Sequence, residues 1–101
     1  MDQIERIRKF EDILDRLNVT SAELAQALER AEVLSDEFVE FCDYYGSEVW
    51  FADYDDDSAG KLPADLKRGV LSEDLPYDLI VEMRDHAVRM LELAAKIVKA
   101  V

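Results

Sequence analysis

From Ile4 onward the apolar residues return every three or four positions. Ile4, Ile7, Phe10, Leu14 and Leu17, with Ile13 at the edge, form the first such series, the spacing that places side chains on one face of an α-helix. Residues 2 to 17 are therefore expected to be an amphipathic helix whose far side carries Arg8, Asp12, Asp15 and Arg16. Asn18-Val19 interrupts the series. Thr20 followed by Glu23 has the spacing of a capping box, in which hydroxyl and carboxylate each satisfy a free backbone amide, so a second helix is expected to begin there. Its stripe is Leu24, Ala27, Leu28, Ala31, Leu34, Phe38, Phe41, Cys42 and Tyr45, and Gly46 is a natural left-handed stop. Such a helix, about 26 residues, is roughly 39 Å long at 1.5 Å rise per residue.

Beyond Gly46 the elements shorten. Ser47 can cap a helix from Glu48 to about Asp56, after which Asp57-Ser58-Ala59-Gly60-Lys61-Leu62-Pro63 reads as a loop. Pro63 suits the first position of one or two helical turns over residues 64 to 68, ended by Gly69. Ser72 or Asp74 then opens the last helix, with Pro76 in the first turn, where a missing amide costs least. Leu79, Met83, Met90, Ala94, Ile97 and Val101 form its stripe, which Ile80, Ala87, Leu91 and Val98 widen. A face that broad normally touches two neighbours. The expected fold is all-α, a small antiparallel bundle of three principal helices in one domain, residues 1–101, with a short helical connecting segment over residues 47 to 71.

Composition refines this picture. The chain has 101 residues, 50% of them apolar, with three Gly and two Pro, enough material for one core. Its single cysteine, Cys42, excludes an internal disulfide and a multi-cysteine zinc site. The start, Met1-Asp2-Gln3-Ile4-Glu5-Arg6, lacks the basic flank and apolar block of a secretion signal, and no apolar run approaches the ~20 residues of a membrane span. A soluble cytoplasmic protein is expected. The formal net charge of −12 disfavours direct binding to nucleic acid or anionic membrane, which requires clustered Lys and Arg.

That charge is regional. Residues 1 to 30 carry a net −2, residues 61 to 101 a net zero, and residues 31 to 60 ten acids with no base. The same central segment holds seven of the nine aromatic residues, so acidic and aromatic density coincide.

Two stretches in and after this segment are distinctive. Tyr44-Tyr45-Gly46-Ser47-x-x-Trp50-Phe51-x-Asp53 and Gly60-Lys61-Leu62-Pro63-x-Asp65-Leu66-Lys67-Arg68-Gly69-Val70-Leu71-Ser72-Glu73-Asp74-x-x-Tyr77-Asp78-Leu79 resemble a family of small bacterial and phage-associated proteins, a domain of unknown function. The likeness extends to the opening Ile4-Glu5-Arg6-Ile7 and the closing Met90-Leu91-Glu92-Leu93-Ala94. Pro76 departs from the pattern, which has an aliphatic residue there. The resemblance implies a small helical fold and brings no activity, cofactor or catalytic residue with it.

Chemistry has little to work with. Asp53-x-Asp55-x-Asp57 has the spacing of the first ligands of a calcium loop, but Ser58 and Ala64 stand where the turn glycine and the bidentate carboxylate belong. A solvated acidic turn is the simpler reading. His86, the single imidazole, follows Glu82 by one turn, and a lone histidine on a helix edge is more often structural. A Cys-His nucleophile needs an electropositive setting, whereas Cys42 has acidic and apolar neighbours. Neither an enzyme nor a cofactor is expected; a small enzyme or metal-binding protein using Asp53, Asp55 and Asp57 or His86 is the alternative of a different class.

The acidic stripe is better defined. Glu29, Glu32, Asp36, Glu40 and Asp43 follow steps of three and four along one helix face, with no base after Arg30. Like charges at that spacing repel by a few tenths of a kcal/mol per pair, and Lys61, Lys67 and Arg68 or a basic partner are the candidates to compensate. A solvated face that keeps a small protein soluble is the plainer account. Tyr45, Trp50, Phe51 and Tyr54 read first as a cluster closing the bundle end, although Tyr and Trp also anchor interfaces. Val33 and Tyr44 fall outside the core arc, and Tyr77, Val81 and Val88 form an outer row on the last helix, a candidate homodimer seam.

These features favour a non-enzymatic interaction module that presents residues 31–60 to a basic protein partner. The candidate contact residues are Glu32, Asp36, Glu40, Asp43, Tyr44, Trp50, Tyr54, Asp55, Asp56 and Asp57. Its sharpest version is a phage or mobile-element inhibitor that imitates DNA phosphates in the basic groove of a defence protein.

Overall fold

The computed structural model describes residues 1–101 and contains three α-helices: α1 (Gln3–Tyr44), α2 (Glu48–Ser58) and α3 (Asp74–Ala100), with a single 3₁₀ turn at Gly69–Leu71. The class is all-α, as the periodicity predicts. The chain falls into two compact units, Met1–Val39 and Glu40–Val101, so the last turns of α1 belong to the second.

The expected break at Asn18-Val19 does not occur. α1 passes through it without interruption, and the first two expected helices are one. Stopping and restarting would leave orphan amides and carbonyls at two new ends and incur a second nucleation. Continuing costs only the modest propensity penalties of Asn18, Val19 and Thr20, none of which approaches those of Gly or Pro. Thr20 and Glu23 therefore lie within the helix and form no capping box. The cap sits at the true start, where Asp2 Oδ1 accepts from the Glu5 amide at 2.8 Å.

Gly46, at φ +78°, turns the chain after α1. Ser47 caps α2 by accepting the Trp50 amide at 3.2 Å, as expected from sequence, and α2 runs two residues beyond Asp56. Gly60, at φ +72°, ends it in a Schellman arrangement, with the Lys61 amide on the Asp56 carbonyl and the Gly60 amide on that of Asp57, both at 3.0 Å.

The helical turns expected over residues 64 to 68 are absent. The Arg68 guanidinium donates to the Pro63 and Leu66 carbonyls, holding that segment as an irregular turn. Helical bonding resumes only at the 3₁₀ turn, which Gly69 begins rather than follows. Ser72 then links turn to helix: its hydroxyl donates to the Gly69 carbonyl at 2.9 Å and accepts the Leu75 amide at 3.1 Å. Pro76 is buried in the first turn of α3, where no intrahelical partner awaits its missing amide.

Burial is concentrated. Trp50 and Leu71, 4% and 7% exposed, are the buried large apolar side chains, and both belong to the second unit. The stripes expected to form the core of a bundle lie open: Ile4, Ile7, Phe10, Leu14 and Leu17 are 50 to 61% exposed, and Leu79, Met83, Met90 and Ile97 36 to 50%. No helix is long and apolar enough to cross a membrane.

The continuity of α1 sets a contrast between two hydroxyls. Ser47→Ala removes a working cap and should cost about 1 kcal/mol, whereas Thr20→Ala, inside a helix, should stay within about 0.5 kcal/mol of the parent; denaturant unfolding followed by far-UV circular dichroism measures both.

Candidate interaction site

The second unit is organised around Trp50. Capping by Ser47 places the indole on the first turn of α2, where its N–H donates to the Val70 carbonyl at 2.9 Å. Three aromatic rings surround it. Tyr54 stacks on it at 5.3 Å, one helical turn along, while Tyr45 and Phe51 meet it edge-on at 5.3 and 5.0 Å, the offset and perpendicular geometries that aromatic quadrupoles favour. The Tyr45 hydroxyl reaches on to the Glu73 carbonyl at 3.1 Å. One side chain and its neighbours thereby join the end of α1, α2, the 3₁₀ turn and the approach to α3.

Around this core the acidic residues divide into two groups. Asp53 and Asp57 point inward and have partners. The Tyr44 hydroxyl donates to Asp53 Oδ2 at 2.6 Å. That bond, together with partial burial and the adjacent Asp53 charge, pushes the Tyr44 phenol up from 10 to about 12. Asp57 pairs with the Arg68 guanidinium, which thus joins α2 to the turn that follows Pro63. Lys61 approaches Asp56 at 3.8 Å with both side chains exposed, an ion pair of little energetic consequence. Of the three bases expected to compensate the acidic stripe of α1, Lys61 and Arg68 pair instead with Asp56 and Asp57 of α2, and Lys67 forms no ion pair.

The remaining acids are outward. Glu40, Asp43, Glu48 and Asp55 in the second unit are exposed and form no ion pair. In the first unit the same holds for Glu32, Asp36 and Glu37 on α1. Glu37 and Glu48, outside the contact residues expected from sequence, share this exposure, and the absence of any base in residues 31 to 60 is the sequence signal that applies equally to them.

Several expected contact residues have internal roles instead. Trp50 is buried and cannot anchor a partner in this conformation. Tyr54 is half-buried beneath it, Tyr44 is half-buried on Asp53, and Asp57 is engaged by Arg68. The aromatics gather around Trp50 within the second unit rather than at the end of a bundle.

The chemical alternatives find little convergence. Asp53, Asp55 and Asp57 lie on α2 rather than in a loop; a two-residue helical step turns a side chain by about 200°, so Asp55 faces away from the other two. No three His, Cys, Asp or Glu side chains gather at metal-binding distance. His86 Nε2 lies 3.5 Å from Glu82 on an open stretch of α3, and Cys42 is a half-buried free thiol on α1. Two surface concavities, one between His86 and Lys96 on α3 and one between Glu29 and Leu34 on α1, are each bordered by a single helix.

The class defined by these features is an all-α protein whose C-terminal unit is locked by an aromatic cluster beneath outward carboxylates. Residues 7–93 match the model of a domain of unknown function, DUF4298, and the chain belongs to that family. No curated protein and no solved structure matches it.

Two measurements follow from the locked cluster. Trp50→Ala should destabilise the second unit by about 3–5 kcal/mol, the usual cost of emptying a large aromatic site, read as a lowered denaturant midpoint. Tyr44 has a raised folded-state pKa, so the stability it contributes is complete below pH 10 and disappears as pH rises toward about 12. The stability difference between the parent and Tyr44→Phe should accordingly shrink between pH 10 and 12, and ultraviolet absorbance should show one late-titrating tyrosine that Tyr44→Phe removes.

Proposed function

We propose that this chain is a non-enzymatic protein-interaction module that presents the acidic residues of the segment 31–60 to a basic protein partner. The observation that carries this reading is the division of the carboxylates. Ten acids occur in that segment without one base; Asp53, Asp56 and Asp57 have partners within the chain, and the other seven are exposed without an ion pair. Concentrated negative potential speeds encounter with a positively charged surface and rejects negatively charged ones. The aromatic cluster supplies a fixed support for the acids of the second unit. Tyr44 and Tyr54 contribute at most their exposed edges, and contact with the partner falls chiefly to Glu32, Asp36, Glu40, Asp43, Asp55 and Asp56.

A nucleic-acid-binding protein is one class of basic partner, and imitation of DNA is the narrower version of the proposal. Competition by duplex DNA separates it from other acidic docking.

The decisive variant neutralises Glu32→Gln, Asp36→Asn, Glu40→Gln and Asp43→Asn together. It should melt at a higher temperature, since repulsion along α1 is relieved, and should lose partners captured by the parent at low ionic strength. A stabilised variant that keeps every partner overturns the reading.

A further inference from the structure

Trp50 is the one tryptophan of the chain, a residue type favoured as an interface anchor, yet it is 4% exposed. Its cover comes from two sources. Tyr45, Phe51 and Tyr54 surround it from the start of the turn after α1 and from α2 itself. The rest is the 3₁₀ turn, whose Val70 carbonyl accepts the indole N–H at 2.9 Å and whose Leu71 is buried. That turn belongs to the segment Lys61–Ser72, which carries the chain from α2 to α3.

The segment is tied mainly to itself. The Arg68 guanidinium donates to the Pro63 and Leu66 carbonyls, the Leu66 amide to the Pro63 carbonyl at 3.2 Å, and the Leu71 amide to the Arg68 carbonyl at 2.9 Å. Its ends are set by Gly60, at φ +72°, and by Ser72, whose hydroxyl bonds on both sides. Between those ends two polar links fasten it to α2: Arg68 to Asp57 and Trp50 to Val70. The exposed Lys61–Asp56 pair adds little. Apart from Leu71, its side chains are exposed or half-buried. A segment with so few buried contacts opens at lower free energy than the helices beside it.

The two links differ in kind. Trp50 to Val70 is a neutral bond that lasts only while the turn is in place. Arg68 to Asp57 is an ion pair, and its guanidinium occupies within the chain the place that a partner's cation would take. A guanidinium from outside competes against a tethered group, whose effective concentration is on the order of millimolar. Glu48 and Asp55, exposed and unpaired on the same helix, add attraction for it. A ligand favours an open form by the contacts that the closed form withholds; here these are Asp57 and the Trp50 ring.

We infer that Lys61–Ser72 is a strap latched by Arg68 on Asp57, and that an arginine of a basic partner releases it by taking the place of Arg68, uncovering Trp50 for contact. The inference rests on the acidic-partner reading and adds the regulation of that site.

Emission of the single tryptophan, and its quenching by acrylamide, report the strap directly. Arg68→Ala should red-shift the emission and raise the quenching constant severalfold. Amide exchange at Leu71 and Ser72, which bond the Arg68 and Gly69 carbonyls, should quicken about tenfold or more, the effect of losing one charge-assisted hydrogen bond. Amides of α2 should stay protected, which separates an opened strap from an unfolded unit. In the parent chain, a hexa-arginine peptide should raise quenching of Trp50 over the range in which a fluorescently labelled form of the peptide binds, whereas sodium chloride at matched ionic strength should not. Failure of the labelled peptide to bind overturns the acidic-partner reading and, with it, the release. Binding that leaves Trp50 as protected as before overturns this inference alone. So does an Arg68→Ala chain in which Trp50 stays buried, or in which α2 loses protection together with Leu71.

Discussion

The indole N–H of Trp50, bonded to the Val70 carbonyl, is the contact on which the second unit depends. The unit has little else in its interior, since Leu71 is the other large apolar side chain that is buried. Short elements cannot each bury a face of their own, so they converge on one large side chain that offers both area and a directional bond. Tyr45, Phe51 and Tyr54 close around the ring, and Ser47 and Gly46 decide where on α2 that ring falls. The local turn chemistry thus positions the one residue that holds the longer-range arrangement.

This economy also organises the charge. An acidic segment placed over a small core must neutralise the carboxylates nearest to it, because desolvated charge without a partner is costly. Asp53 and Asp57 are the inward ones, and Tyr44 and Arg68 answer them. Arg68 does more than balance charge: by also bonding the carbonyls of its own turn, it fixes the path between α2 and the 3₁₀ turn. The seven carboxylates left outside form no ion pair within the chain, and they give this member of the DUF4298 family its regional negative field.

The first unit poses the opposite problem. Its helix is long and uninterrupted, and much of its apolar surface stands open. Helices gain most of their stability from packing an amphipathic face rather than from propensity, so a helix of this length is suited to a surface outside its own unit. Near-neutral charge in residues 1 to 30 permits such packing, whereas the ten acids of residues 31 to 60 resist self-contact by repulsion.

The helical class, the Ser47 cap, the Gly46 stop, the place of Pro76 and the clustering of Tyr45, Trp50, Phe51 and Tyr54 were legible in the residues alone, because each rests on contacts within a few positions. Lys61, Lys67 and Arg68 were the bases expected to answer the acidic stripe of α1, and Lys61 and Arg68 pair instead with Asp56 and Asp57 of α2. Tertiary structure decided the rest. Whether Asn18-Val19 ends a helix depends on comparing a local penalty with the cost of two new helix ends. Whether residues 64 to 68 coil depends on an arginine bonding its own turn. Which acids face inward depends on how α2 is rotated against Tyr44 and Arg68, a rotation set by the burial of Trp50. Sequence spacing reports which residues share a helix face; it carries no information about what that face meets, and burial, partnership and exposure are properties of the meeting.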